Sequence, residues 1–234
     1  NYLTDNRFLD YSRVFNSDKS ILDLGYAIRD VSTIHVPLDI KHLHKSRMKI
    51  YAGLSNVHSG EAEYIELDAE NAIDALVCSC NIPFLSKALV PYNGKEYIDG
   101  GILEPIPVRK AIELGANKIV LILTQPHGYR ESPRLFMKAV LNRFFGTSDK
   151  VEEMLRYEHT IYNNNKIYVE LFDTPGVELI VVSPPHDFKL DLLTRSRSLL
   201  HQGYAQGFIA GTELWKKLES YPDFQRGEAE KAFF

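Results

Sequence analysis

An α/β protein is the fold class that this sequence predicts, and three observations predict it. Strand-like runs alternate with helix-like runs along most of the chain, which is the element pattern of α/β proteins. Residues 118–124, Lys-Ile-Val-Leu-Ile-Leu-Thr, form a continuous apolar run, and such a run reads as a strand buried on both faces of a parallel sheet. The chain has 234 residues, 44% of them hydrophobic and 25% charged, a globular composition. A chain of that length buries about 70% of its unfolded surface, so it needs no metal or disulfide staples. No repeat, low-complexity tract or linker interrupts it, so one domain over residues 1–234 is expected.

The elements follow in order. Residues 1–47 read as helical or irregular, with loosely spaced apolar side chains and a turn at Asn16-Ser17-Asp18. Residues 48–55 alternate well enough for a strand, and 63–67 for a second, with a turn over 56–60. Asp68 offers an N-cap to a helix through Ala72, Ala75 and Leu76 that ends before Pro83. Strands at 89–92 and 96–98 join across Asn93-Gly94, both of which tolerate positive φ. Asp99-Gly100-Gly101 comes next. Pro107 starts a helix over 108–114, and Gly115 closes it. That helix and the strand at 118–124 make half of a βαβ unit. Helices at 133–145 and 149–163 precede a strand at 177–182. A last helix over 191–218 is expected to turn Leu192, Leu199, Tyr204, Phe208 and Leu214 inward.

Charge and composition narrow the function. The balance of 27 basic and 31 acidic residues gives −4, so the broad basic footprint of a nucleic-acid partner is missing. No apolar run reaches the roughly 20 residues that span a bilayer, so any membrane contact is expected to be peripheral. The first residues, Asn1-Tyr2-Leu3-Thr4-Asp5, do not read as a secretory signal. A cytoplasmic location is the expectation. Cys78 and Cys80 lie too close in sequence for a relaxed disulfide, and are expected to be small buried apolar side chains. His42-x-His44 lacks companions for a tetrahedral metal set, so no metal is expected. No phosphate-binding glycine motif appears, and no cofactor is expected.

Chemistry concentrates at 97–108, Tyr-Ile-Asp-Gly-Gly-Ile-Leu-Glu-Pro-Ile-Pro-Val. An acidic residue leaves a strand end, where open α/β sheets place ligands. Gly100 and Gly101 then let the chain turn sharply, with positive φ expected at Gly100, and let another group approach closely. A plain turn, with Asp99 bonded to nearby amides, fits the same pattern.

The surroundings separate these readings through resemblance. Ala75-Leu76-Val77-Cys78-Ser79-Cys80-Asn81-Ile82-Pro83-Phe84, then a hairpin, then Asp99-Gly100-Gly101 and Pro105-Ile106-Pro107-Val108, resemble the second conserved block of patatin-like phospholipases. The resemblance is specific over 75–123, and weaker toward a bacterial subgroup beyond 130. It implies a three-layer α/β/α fold with a mostly parallel central sheet, and a lipid acyl hydrolase of the serine esterase type. It implies a Ser–Asp dyad with Asp99 as general base, supported by Gly100 and Gly101, and a lipid or other acyl ester as substrate. The family's nucleophile sits in Gly-x-Ser-x-Gly, which these residues do not contain. Gly53-Leu54-Ser55-Asn56-Val57 comes nearest but lacks the second glycine that the strand-to-helix elbow needs. The nucleophile is therefore expected upstream of residue 1, in a domain that is incomplete at its N-terminal side. Ser55 and Ser79 are expected to be unreactive, and the 234 residues alone inactive.

Three rival readings stay open. A Ser-His-Asp triad would draw its base from His127, His159, His186 or His201, with His58 in a turn. The 130–145 stretch joins Arg130, Arg134, Lys138 and Arg143 to Leu135, Phe136, Val140, Leu141, Phe144 and Phe145. It reads as a helix on an anionic lipid surface, or as one packed on the sheet with its cations reaching out to water. Lastly, the domain would serve binding or regulation if it were catalytically inactive.

Overall fold

The structure is a computed structural model and describes residues 5–10, 12–13, 20–39, 48–82, 85–86, 90–133, 149–191 and 194–221. They form helices and strands in alternation, as the α/β class requires. Two compact units result, Asn1–Pro107 with Arg130–Phe172, and Val108–Tyr129 with Asp173–Phe234. The helix expected over 133–145, His42, His44 and Leu192 lie outside the described residues.

The first unit is built on a four-stranded sheet. Its strands are β1 (Tyr51–Asn56), β2 (Ala62–Glu66), β3 (Val90–Tyr92) and β4 (Lys95–Asp99), in the order β2-β1-β4-β3. All three pairings are antiparallel. Among the described residues this sheet holds no parallel pair, so it does not bear out the mostly parallel sheet expected from the sequence. Short connections explain why: β1 and β2 join through a turn in which Gly60 N bonds to Asn56 O at 3.0 Å. β3 and β4 join across Asn93 (φ 48) and Gly94 (φ 76), and so tight a link allows only antiparallel neighbours.

Each face of this sheet carries a helix. Alternation sends Ala52, Leu54 and Tyr97 to one face, where they meet Ala75 and Cys78 of α1 (Ala72–Ser79). The opposite face brings Ile98, with Val57 and Ile102, against Val151, Met154 and Leu155 of α3 (Asp149–Glu170). The i, i+3, i+4 spacing of those three residues is the apolar stripe of a helix packed on one side. Asp68 does not cap α1. Its Oδ1 accepts from the N–H groups of Glu70 and Asn71, both at 2.8 Å, in a turn of its own. Asn71 is the residue that precedes the helix. The N-terminal stretch adds a wide-wound π-helical segment, Gly25–His35, and a small core of Leu9, Leu22 and Leu85.

The second unit holds α2 (Val108–Glu113), β5 (Lys118–Ile122), β6 (Glu178–Val182) and α4 (Arg197–Glu219). Pro107 directly precedes α2. Gly115 (φ 93) ends it as Ala116 N bonds back to Ala111 O at 3.0 Å. β5 and β6 pair in parallel from Lys118↔Glu178 to Ile122↔Val182. Two expectations fail here. Ile119 and Leu123 are buried, but Val120 and Ile122 are exposed, so β5 is covered on one face only among the described residues. No residue of α4 is buried, and Tyr204 and Phe208, expected inward, are exposed. Apolar spacing marks a side chain fit for burial and does not say what covers it.

Candidate active site

Asp99 ends β4, opposite Leu54 of β1. Its backbone leaves the strand at φ −46 and ψ 127 and enters a single 3-10 turn, Gly100–Ile102. The turn closes on itself, with Leu103 N and Glu104 N both donating to Gly100 O, and further main-chain contacts come from elsewhere in the first unit. Asp99 N donates to Asn81 O at 2.9 Å, Asp99 O accepts from Ser55 Oγ at 2.8 Å, and Leu103 N donates to the same Ser55 Oγ at 3.3 Å. Asn81 is itself buried, and its Nδ2 donates to Tyr97 O at 3.3 Å.

The glycines act through space rather than through unusual dihedrals. Gly100 is not among the glycines with positive φ, contrary to expectation. A Cβ there would stand 2.1 Å from Gly53 O and 2.4 Å from Gly53 C, because the turn passes directly over the backbone of β1. Gly101 leaves room for the carboxylate: its Cβ would fall 3.0 Å from Asp99 Oδ1. Its N–H donates to that oxygen at 2.7 Å. The bond is the one hydrogen bond that the carboxylate accepts among the described residues.

Electrostatics follow from this placement. Asp99 is half-buried, and burial pushes its carboxyl above the usual range, with the Gly101 N–H pulling partly the other way. Cys80, just past the end of α1, is exposed rather than buried as expected. Its thiol is raised by desolvation and then by the Asp99 charge; the next residue, Asn81, accepts from Asp99 N through its backbone oxygen. Cys78 is buried and its thiol is pushed up to about 11. A carboxylate with a raised proton affinity is better matched to proton transfer than an ordinary one.

The other candidate residues are accounted for separately. Ser55 is fully buried and engaged with the Asp99 turn. Ser79 Oγ donates to Gly53 O at 2.8 Å, tying the end of α1 to β1. No histidine hydrogen-bonds to Asp99 among the described residues. His58 faces Glu96 at 3.4 Å, and His159 lies 3.2 Å from Thr160 Oγ1. His127, His186 and His201 are exposed. No helix among the described residues is long and apolar enough to cross a membrane. Sequence reasoning missed Asn81 and the engagement of Ser55, whose partner lies 44 residues away; no local signal marks such a contact.

Comparison with known proteins finds the following similarities. An uncharacterized protein, YjjU of Escherichia coli (strain K12), is 24% identical over 216 residues, which cover 90% of this chain and 59% of YjjU. The 1-acylglycerol-3-phosphate O-acyltransferase Pnpla3 of Mus musculus is 36% identical over 66 residues, 27% of this chain and 16% of its own length. Its human counterpart PNPLA3 is 39% identical over 62 residues, 25% of this chain and 13% of its own length. The chain thus spans less than two thirds of each. The family model for patatin-like phospholipases matches residues 4–112, a segment that contains β1, α1, β4 and Asp99.

Proposed function

We propose that this chain contributes the general base of a lipid acyl hydrolase, with Asp99 in that role and a serine nucleophile supplied by sequence outside these 234 residues. The observation that carries the reading is the Asp99 carboxylate itself. It stands at a strand end inside the family-matched segment, with Gly101 N–H as its one hydrogen-bond donor among the described residues, and burial raises its proton affinity. A carboxylate is a weak base for a hydroxyl, so a raised proton affinity narrows the gap it must bridge. Gly100 and Gly101 support the role by keeping the turn flat against β1.

In this mechanism the serine Oγ bonds to the ester carbonyl carbon as its proton passes to Asp99. Collapse of the tetrahedral intermediate breaks the ester bond, and the leaving alcohol takes the proton back from Asp99. Water then attacks the acyl-serine, giving its proton to Asp99, and the released serine oxygen recovers it. Oriented donors for the oxyanion would come from the same outside sequence as the nucleophile. A lipid hydroxyl in place of water turns the same steps into acyl transfer, the activity named for the mouse and human relatives. The reading takes residues 1–234 as one patatin-like domain, incomplete at its N-terminal side. In the intact domain it expects three layers around a mostly parallel sheet, and the β5–β6 pair supports this. A lipid substrate also favours peripheral contact with a membrane.

The test is Asp99→Asn in the intact protein, with a short-chain ester as substrate and a fluorophosphonate probe for the serine. Loss of turnover by about 100-fold or more, in a variant that still folds, is expected for removal of a general base. Turnover close to wild type would leave Asp99 as a turn residue. An intact protein that neither turns over esters nor takes up the probe would instead be an inactive domain with a binding role.

A further inference from the structure

The hydroxyl of Ser55 holds both ends of the turn that carries Asp99. It donates to Asp99 O at 2.8 Å, and Gly100 O lies beyond at 3.5 Å. It accepts from Leu103 N at 3.3 Å. Ser55 sits on β1, opposite Ile98, and is fully buried. Neighbouring positions on β1 oppose Asp99 and Tyr97, through Leu54 and Asn56. The turn therefore lies against the middle of the sheet, where a Cβ at Gly100 would overlap Gly53 O. Only a hydroxyl of this size gives and receives a hydrogen bond at once from one buried point.

We infer that Ser55 is a positioning residue for Asp99, fixing where its carboxylate stands relative to the attacking serine. This rests on the reading of Asp99 as general base. The physical reason is that among the described residues the Asp99 carboxylate accepts one hydrogen bond, from Gly101 N–H. The aim of the carboxylate is therefore set by the backbone from which it springs. Removing Ser55 Oγ deletes two hydrogen bonds of the turn, the one to Asp99 O and the one from Leu103 N–H, which also bonds to Gly100 O. The turn must then shift to recover them, and the carboxylate shifts with it. Its role differs from that of Ser79, which ties α1 to Gly53 O and makes no contact with the turn among its described bonds.

The test compares Ser55→Thr, Ser55→Cys and Ser55→Ala in the intact protein, at a temperature below the melting point of each, with a short-chain ester. Displacement of a reacting group by about an ångström costs up to 100-fold, so kcat for Ser55→Ala is expected to fall by about tenfold to 100-fold while KM stays within about twofold. Ser55→Cys keeps the size but has a weak donor and acceptor, and is expected to fall between alanine and wild type. Ser55→Thr keeps the hydroxyl and is expected to rank above both. A folded cysteine or alanine variant with wild-type kcat overturns the inference, as does a folded threonine variant no better than alanine. If the alanine variant does not fold, the cysteine variant decides. Asp99→Asn run alongside separates the two levels. Should it keep its activity, the general-base reading falls; should it lose activity while Ser55→Cys matches wild type, only the positioning role falls.

Discussion

The turn after β4 and the parallel pair β5–β6 with helix α4 are built on opposite principles. Around Asp99 the backbone is held by side chains from β1 and by Asn81 past the end of α1. Ser55, Ile98 and Tyr97 are all but fully buried, and a Cβ at Gly100 would overlap the backbone of Gly53. In the other region Val120, Ile122, Tyr204, Phe208 and Ile209 are exposed, and α4 buries none of its residues. In the first region side-chain volume is dictated, atom by atom. In the second, the backbone sets the shape and most side chains are free to vary. A site that must hold a carboxylate in place belongs in the first kind of region, since only close packing fixes a position to a fraction of an ångström.

The largest effect that sharpens this comparison is expected from Gly100→Ala. The added Cβ would overlap the carbonyl of Gly53, at 2.1 Å, and backbone cannot swing aside as a side chain can. The β1–β4 pairing must open, so a loss of about 3 kcal/mol or more is expected in chemical denaturation. A variant as stable as wild type would mean that the turn lies farther from β1 than the structure has it.

Tyr97→Phe comes next. Tyr97 is 2% exposed, and its hydroxyl donates to Glu63 Oε2 at 2.6 Å. That bond is the first cause of the lowered Glu63 pKa, ahead of Asn56 and Lys95. A loss of roughly 2 kcal/mol is expected near neutral pH, typical of a hydrogen bond to a charged group. A lowered carboxyl pKa stabilises the fold above the unfolded-state value and ceases to do so as pH falls through the folded value. Wild type should thus lose more stability than the variant on going from neutral pH to pH values below the ordinary glutamate range. Parallel losses in the two proteins would rule out this bond as the cause.

Asp99→Asn should act in the opposite sense on stability. Burial raises the Asp99 pKa, so the folded state holds the proton more tightly than the unfolded chain. Its contribution is favourable below the ordinary aspartate range and is lost as pH rises through the folded value. Asparagine keeps an oxygen for Gly101 N–H and carries no charge. Its melting temperature should therefore exceed that of wild type at neutral pH, with the gap closing on acidification. A gap that widens in acid would mean that the ionised carboxylate is stabilised where it stands.

How much of this was legible in the sequence depended on the range of the contact responsible. The β3–β4 hairpin was readable because Asn93 and Gly94 carry its dihedrals locally. Asp99 was readable as a candidate because its strand end, its two glycines and Pro107 are neighbours in the chain. The length of α3 was not: the helix was expected to end at 163, yet it continues through the asparagines at 163–165 to Glu170. Asn165 Nδ2 bonds to Ile161 O within the helix at 3.0 Å, and Asn163 exchanges two hydrogen bonds with the Glu131 backbone at 2.8 and 2.9 Å. The second of these belongs to tertiary structure. The sheet direction was legible only in part: the apolar run of β5 pairs in parallel with β6, whereas β1 with β2 and β3 with β4 are joined by short turns and pair antiparallel.

The smallest effect is expected on α4, where two glycines four residues apart test the comparison inside a single helix. A Cβ at Gly203 would stand 2.2 Å from Leu190 Cδ1 and 3.5 Å from Phe188 Cε2, whereas one at Gly207 would meet nothing within 4 Å. Neither residue has positive φ, so alanine suits both backbones. At Gly207 the substitution only removes unfolded-chain freedom and the weak helix propensity of glycine, and should stabilise the protein by roughly 0.5–1 kcal/mol. At Gly203 the same gain is set against displacing Leu190. A leucine tip can rotate away, so the net result should lie near zero or be mildly destabilising, by about 1 kcal/mol at most. The quantity to measure is the difference between the two variants by denaturant midpoint at equal slope. Gly207→Ala should be the more stable of the pair. If instead both stabilise equally, the 186–190 segment does not rest on α4, and close packing is confined to the first region.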